Sequence, residues 1–242
     1  MLRSWVIRSG SLMLLAAVTA SAQSPQALPA APTITLFERH GHVTPHRSGF
    51  QHTGGGIIDV AQPSPDALVI TMQGVAVAGP HPCKDSFAAL DFELNQCFEI
   101  GLDKPAGKKV NLKLEARVIG LLRAGSGAGG LAEVSGTVGV STGHAEIISL
   151  PVPSHAVSGG ENLSINDHEG PAAVLLPPGR YTLHQVFHVG ARYPWRLCGK
   201  AASAEFAPDP GLDPLWISYR EPFHGANKKD LGLQVILRAA VN

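Results

Sequence analysis

The amino-acid sequence predicts an all-β protein, an antiparallel β-sandwich of about ten strands, on the strength of three observations. Apolar and polar residues alternate with period two over four long segments, which is typical of strands with one buried and one solvated face. The 27 Gly and 19 Pro residues are spread without a G-X-Y period, as expected for many tight turns. No segment after the N-terminal region combines a sustained 3.6-residue period with helix caps. The pattern is compatible with a jelly-roll-like or an immunoglobulin-like sandwich.

The first 22 residues predict a cleaved signal peptide. Arg3 and Arg8 form a short basic head, residues 11–18 are an apolar run, and Ala20-Ser21-Ala22 has the small-x-small pattern that signal peptidase recognises. The apolar run is shorter than the ~20 residues that cross a bilayer, so we expect no stable membrane span in the mature protein. We therefore expect a secreted or periplasmic protein. Its predicted parts are the signal peptide (1–22), a Pro/Ala-rich linker (23–32) and a single β-sandwich domain (33–242).

The charge of the mature chain argues against nucleic acid as a partner. Without the two arginines of the signal peptide, 19 basic side chains become 17 against 19 acidic ones, a net charge of −2. A nucleic-acid-binding protein would show a basic stripe instead. The chain is 44% hydrophobic and 16% charged, which is typical of a protein that buries a core. The expected partner is therefore an extracellular ligand or surface, which the sequence does not identify.

The predicted strands follow one another with turn residues between them. In the first long segment one parity is apolar from Leu90 to Ile100, and Gln96 is its single polar exception. The segments 167–171 and 223–230 are the most polar and are expected to be loops. The long predicted strands are 90–100, 110–122, 181–189 and 231–237, and the shorter ones are 56–60, 68–74, 131–140, 146–150, 172–176, 201–206 and 215–219.

Histidine is the residue that suggests metal chemistry, with 11 copies in the chain. His40 and His42 are spaced H-x-H, and on a strand such residues share a face at ~7 Å. With a third ligand from a neighbouring strand they would form a Zn or Cu site. The alternative is a solvated loop that carries these histidines incidentally. His184 and His188 would lie ~13 Å apart on a strand, too far to bind one ion together, and are expected to be separate outward residues.

Two short motifs resemble catalytic or nucleotide-binding patterns but lack the required context. Residues 139–143 (GVSTG) match the G-x-S-x-G nucleophile elbow, which requires a strand, a sharp turn and a helix. Pro151 follows soon after and no helix is indicated, so we expect a hairpin turn there. Residues 125–130 (GSGAGG) match G-x-G-x-x-G, again without a following helix to hold a pyrophosphate.

The three cysteines allow at most one disulfide. Cys83 and Cys97 are the nearest pair, but a continuous strand over 88–100 would place Cys97 about 30 Å beyond residue 88. Cys83 can reach back only ~17–18 Å, and bridged Cα atoms must lie within ~7 Å. Any bridge is therefore expected to use Cys198, and Cys83 is favoured over Cys97 as its partner because Cys83 and Cys198 would both lie in loops free to adjust.

Two functions of different classes remain after these observations. The first is a non-catalytic extracellular binding or structural module without a cofactor. The second is a secreted Zn- or Cu-binding protein or enzyme that uses His40 and His42. No catalytic residue is predicted.

Overall fold

A computed structural model describes residues 31–48, 51–78, 85–103, 107–124, 130–143, 145–193, 202–205 and 231–241. The predicted signal peptide, nearly all of the linker, the predicted strand 215–219 and the predicted loop 223–230 lie outside these residues. The described residues form eleven strands and no helix. Within this part of the chain there is accordingly no helix that could span a membrane.

The strands are long for a globular protein, and they are numbered here in chain order. They are β1 (Pro32–Ser48), β2 (Gln51–Ser64), β3 (Ala67–Ala78), β4 (Ser86–Leu102), β5 (Val110–Arg123), β6 (Leu131–Thr142), β7 (Ala145–Ser158), β8 (Asn162–Leu176), β9 (Gly179–Tyr193), β10 (Ala202–Glu205) and β11 (Leu231–Val241).

The strands form two antiparallel sheets, which confirms the predicted β-sandwich. The five-stranded sheet has the order β1-β4-β9-β6-β7. The other sheet has six strands, with β2 pairing β3, β11 between β3 and β5, and β8 beyond β5. The short β10 pairs with both β3 and β5, so it occupies the same position between them as β11. In both sheets, strands that are far apart in the sequence are neighbours, such as β4 and β9 in one sheet and β3 and β11 in the other.

The period-two alternation of the sequence generates the core between the sheets. In β4 the apolar parity is buried, and Phe92 and Phe98 are fully enclosed. Phe92 packs against Phe187 of β9 with ring centroids 5.8 Å apart. Burying a side chain of this size stabilises the fold by roughly 1.5–3 kcal/mol, so these rings are major contributors. In β4 the opposite parity faces outward, whereas in much of β3 and β11 both parities are buried.

Consecutive strands close the two edges of the sandwich. β1 and β2 meet at one edge, where Gly56 lies so close to β1 and β4 that a Cβ there would be 2.6 Å from the Phe92 ring. β7 and β8 meet at the other edge, where His155 of β7 is hydrogen bonded to Asp167 of β8. Each edge is therefore covered by a strand of the opposite sheet.

Two features differ from the sequence-based expectations or refine them. The predicted loop 167–171 is wrong, because these residues continue β8, where most of their side chains face solvent at the edge of the sandwich. The polarity of the segment reflects that exposure and not a break in the strand. The G-x-S-x-G segment ends as the expected turn, since Gly143 adopts a φ of 56° between β6 and β7.

Candidate functional site

The candidate site lies on the outer face, defined here as the surface of the five-stranded sheet that is turned away from the six-stranded sheet. Residues directly opposite one another on paired strands share a face, so the register identifies its members. Asp91, Glu93, Cys97 and Glu99 of β4 are outward, and their partners on β9 are polar except for Val186 opposite Glu93. Among the histidines that the structure describes, five lie on this face: His40, His42, His46, His184 and His188.

A chain of imidazole–carboxylate contacts crosses four adjacent strands of the outer face. His46 Nε2 of β1 lies 2.8 Å from Asp91 Oδ2 of β4. The other oxygen of Asp91 lies 2.5 Å from His188 Nδ1 of β9. His188 Nε2 is 3.7 Å from Glu133 Oε1 of β6. Asp91 thus holds two imidazoles by direct contacts, and the side chains tie β1, β4, β9 and β6 together.

Two imidazoles of β9 rest on glycines, which fixes where their rings lie. A Cβ on Gly190 would be 2.8 Å from His188 Nε2, and a Cβ on Gly139 of β6 would overlap the His184 ring. The bare backbone at these two positions therefore makes room for the rings. As predicted, His184 and His188 are separate outward residues that do not converge.

His40 and His42 lie on the exposed part of β1, on a strand and not in a loop. Each imidazole is closest to a different carboxylate: His40 Nε2 is 3.9 Å from Glu38, and His42 Nε2 is 3.4 Å from Glu93. In the described part of the chain, no group of three or more His, Cys, Asp or Glu side chains is arranged to hold a metal ion. A Zn or Cu site that uses this pair therefore stays a prediction.

A β-bulge distorts β1 at the end of the outer face. Between Leu36 and Arg39 the register shifts by one residue, so Phe37 and Glu38 together oppose Cys97. The side-chain amide of Gln96, which is only 2% exposed, donates to the Cys97 carbonyl oxygen at 2.8 Å and to the carbonyl oxygens of both bulge residues at 3.4 Å. Gln96 therefore interrupts the apolar parity of β4 because it holds the bulge, and bulges commonly re-aim side chains at functional sites.

The bulge opens a pocket of about 340 Å³ on the outer face. Phe37 is 44% exposed, and the Arg180 guanidinium lies over its ring at 4.9 Å from the centroid. The small side chains of Cys97 and Thr182 and the turn at Gly143 leave space beside this pair. The pocket is lined by Phe37, Glu38, Cys97, Phe98, Gly143, Arg180, Tyr181 and Thr182.

Tyr181 and Phe98 form the inner wall of this pocket, with ring centroids 5.9 Å apart. The Tyr181 hydroxyl donates to the Pro177 carbonyl oxygen at 2.6 Å. Burial raises the pKa of this hydroxyl above its ordinary value of 10.0. At neutral pH the hydroxyl is therefore protonated and engaged in this hydrogen bond, and the ring is the part of Tyr181 that faces the pocket.

Cys97 is a free, half-buried thiol whose Sγ lies 3.8 Å from Thr182 Oγ1. Cys83 and Cys198 lie outside the described residues, so the bridge between them stays a prediction.

Neither the bulge nor the Asp91–His188 contact was identified from the sequence. The signal for the bulge was present, because Gln96 is the single polar residue in the inward parity between Leu90 and Ile100. The contact between Asp91 and His188 depends on the pairing of β4 with β9, for which the sequence carries no motif.

The chain matches no family model, and no curated protein is similar to it in sequence. Function is therefore inferred from the chemistry of the outer face.

Proposed function

We propose that this protein is a secreted, non-catalytic binding module that takes a small ligand on the outer face, in the pocket at the β1 bulge. The observation that carries the proposal is the pocket itself, where an exposed aromatic ring and a guanidinium flank a partly apolar cavity. Ligand sites typically combine an apolar lining with a few convergent polar groups. The contacts of Asp91 and Gln96 support the role, because they hold in place the strands and the bulge on which the pocket depends.

A fragment screen by NMR tests this proposal. The ¹⁵N-labelled mature protein is titrated with a set of small aromatic acids, amines, amino acids and sugars. Binding in the pocket is expected to shift the backbone amides of residues 97, 143 and 180–182, while those of β3 and β11 in the other sheet stay unchanged. Phe37→Ala should remove the shifts. Ile57→Ala is the matched control, because Ile57 is a similarly exposed apolar residue, at 41%, on the other sheet.

The proposal fails if no fragment shifts the pocket amides, or if the shifts map to the six-stranded sheet. It also fails if Phe37→Ala and Ile57→Ala weaken binding equally, because the ring in the pocket would then have no particular role.

The second candidate function is binding of Zn or Cu by His40 and His42. What favours it is the placement of both imidazoles on one exposed strand, each within 4 Å of a carboxylate oxygen that could act as a further ligand. Metal analysis and calorimetric titration with Zn²⁺ and Cu²⁺ should then give near-stoichiometric binding that His42→Ala abolishes. His168→Ala is the control, since His168 makes a matched 3.4 Å contact with Glu115 on the other sheet. Equal binding by the two variants would contradict a role for His42.

A further inference from the structure

The charged groups that line the pocket at the bulge are one cation and one anion. Arg180 is 78% exposed, and within the described residues its only ion-pair partner is Glu99, reached through Nε at 3.4 Å. A guanidinium has five N–H donors in a fork that matches a carboxylate, so the terminal nitrogens are available to a ligand. Glu38 is 83% exposed and contacts only His40, at 3.9 Å, among the described residues. Its carboxylate is therefore open to a ligand ammonium group.

The remaining lining favours an apolar group on the same ligand. Phe37 presents an exposed aromatic ring, and the buried rings of Phe98 and Tyr181 lie behind it, with the Tyr181 hydroxyl already bonded to a backbone carbonyl oxygen. Exposed aromatic surface of this kind gains stability when an apolar group covers it. A ligand that lacked an apolar part would leave the Phe37 ring in water.

The volume limits the size of the ligand. At about 340 Å³ the pocket is near the lower end of the ~300–1,000 Å³ that small-molecule sites occupy. An oligosaccharide or a folded partner would contact it only in part. A small molecule with one carboxylate, one ammonium and one apolar group contacts the exposed guanidinium, the exposed carboxylate and the Phe37 ring at once.

We propose that this pocket binds the zwitterion of a free α-amino acid with an apolar side chain, with its carboxylate at Arg180, its ammonium at Glu38 and its side chain against the exposed Phe37 ring. This inference rests on the proposed binding function and names the ligand class of the same pocket. A zwitterion also matches the pocket electrostatically, because the two charges that line it cancel.

Three related compounds separate the contributions of the two charges. L-phenylalanine carries both, 3-phenylpropanoate lacks the ammonium, and phenethylamine lacks the carboxylate. Each is titrated into the ¹⁵N-labelled mature protein, and affinity is measured from the shifts of the pocket amides. L-phenylalanine is expected to bind about tenfold more tightly than either analogue, since a charge-assisted hydrogen bond contributes roughly that factor.

Two variants test the assignment of each charge. Arg180→Ala should reduce the affinity for L-phenylalanine to that of phenethylamine and leave phenethylamine binding unchanged. Glu38→Ala should reduce it to that of 3-phenylpropanoate and leave 3-phenylpropanoate binding unchanged. Arg192→Ala is the matched control, because Arg192 is an exposed arginine of the same strand paired with Asp85 at 2.8 Å, away from the pocket. It should change nothing.

Equal affinity for the three compounds, or loss of L-phenylalanine binding in the control variant, overturns the amino-acid assignment. If all three compounds shift the pocket amides equally, the pocket is a binding site of a different specificity and the proposed function stands. If none of them shifts these amides, the amino-acid assignment falls, and the fragment screen then decides separately whether the pocket binds anything.

Discussion

Substitution of Gly56 by alanine is expected to destabilise the protein by overfilling the edge of the sandwich. A Cβ at this position would lie 2.6 Å from Phe92 Cε1 and Cζ and 2.9 Å from Val43 Cγ1. Phe92 is fully buried and packed on Phe187, so its ring cannot swing away freely. Overpacking of this kind destabilises a protein by about 1–3 kcal/mol. The lower entropy of the unfolded chain with alanine offsets this by about 0.4–1 kcal/mol. The net loss in the free energy of unfolding should be about 1–2 kcal/mol.

Urea unfolding of four proteins measures this effect and its cause. They are the wild type, Gly56→Ala, Phe92→Leu and the double variant, because leucine removes both ring atoms that the new Cβ would meet. If the clash with Phe92 is the cause, the cost of Gly56→Ala should fall by at least half when Phe92 is already leucine. Strictly additive losses, or a Gly56→Ala variant as stable as wild type, would refute the close approach of β2 to β4.

Three other predictions concern the site and the N-terminus. Tyr181→Phe should lose about 1 kcal/mol at about pH 8 with its hydrogen bond, and the deficit should shrink at about pH 11. The raised pKa keeps Tyr181 protonated in the folded protein at a pH where the unfolded chain already ionises, so the free energy of unfolding of the wild type falls as pH rises above 10. A stability difference between wild type and variant that grows with pH would contradict this. Gly190→Ala should push His188 away from Asp91, visible as a changed imidazole NMR shift, whereas an unchanged shift would contradict the stacking. N-terminal sequencing of exported protein should begin at or near Gln23, and an intact N-terminus would overturn the predicted cleavage.

The strands were predictable where one face is buried and the other is wet. The segments 110–118 and 181–189 alternate over most of their length, and both lie in strands whose apolar parity is in the core. β1 was not predicted as a strand because its second half is exposed on both faces, so no apolar parity marks it. Residues 167–171 of β8 were wrongly predicted to be a loop for the same reason. Alternation reports burial, and strands at a sandwich edge are only partly buried.

The site was less predictable than the fold because it depends on pairing between distant segments. Asp91 and His188 are 97 residues apart, and they meet only through the register of β4 with β9. At the bulge, the Gln96 amide donates to the backbone carbonyl oxygens of Phe37 and Glu38, which lie 59 and 58 residues earlier in the chain. Local patterns carry no information about such contacts beyond the anomaly of a buried glutamine.

Covalent filling of the pocket through Cys97 tests most directly whether the ligand binds at the bulge. N-ethylmaleimide adds a bulky group to this half-buried thiol, which lines the pocket beside Thr182. After treatment, wild-type protein is expected to lose every fragment-induced shift at residues 143 and 180–182. Cys97→Ser protein should show the same shifts before and after treatment, because the reagent then has no target in the pocket. Undiminished fragment binding by treated wild-type protein, with Cys97 shown to be modified by mass spectrometry, would contradict the placement of the site.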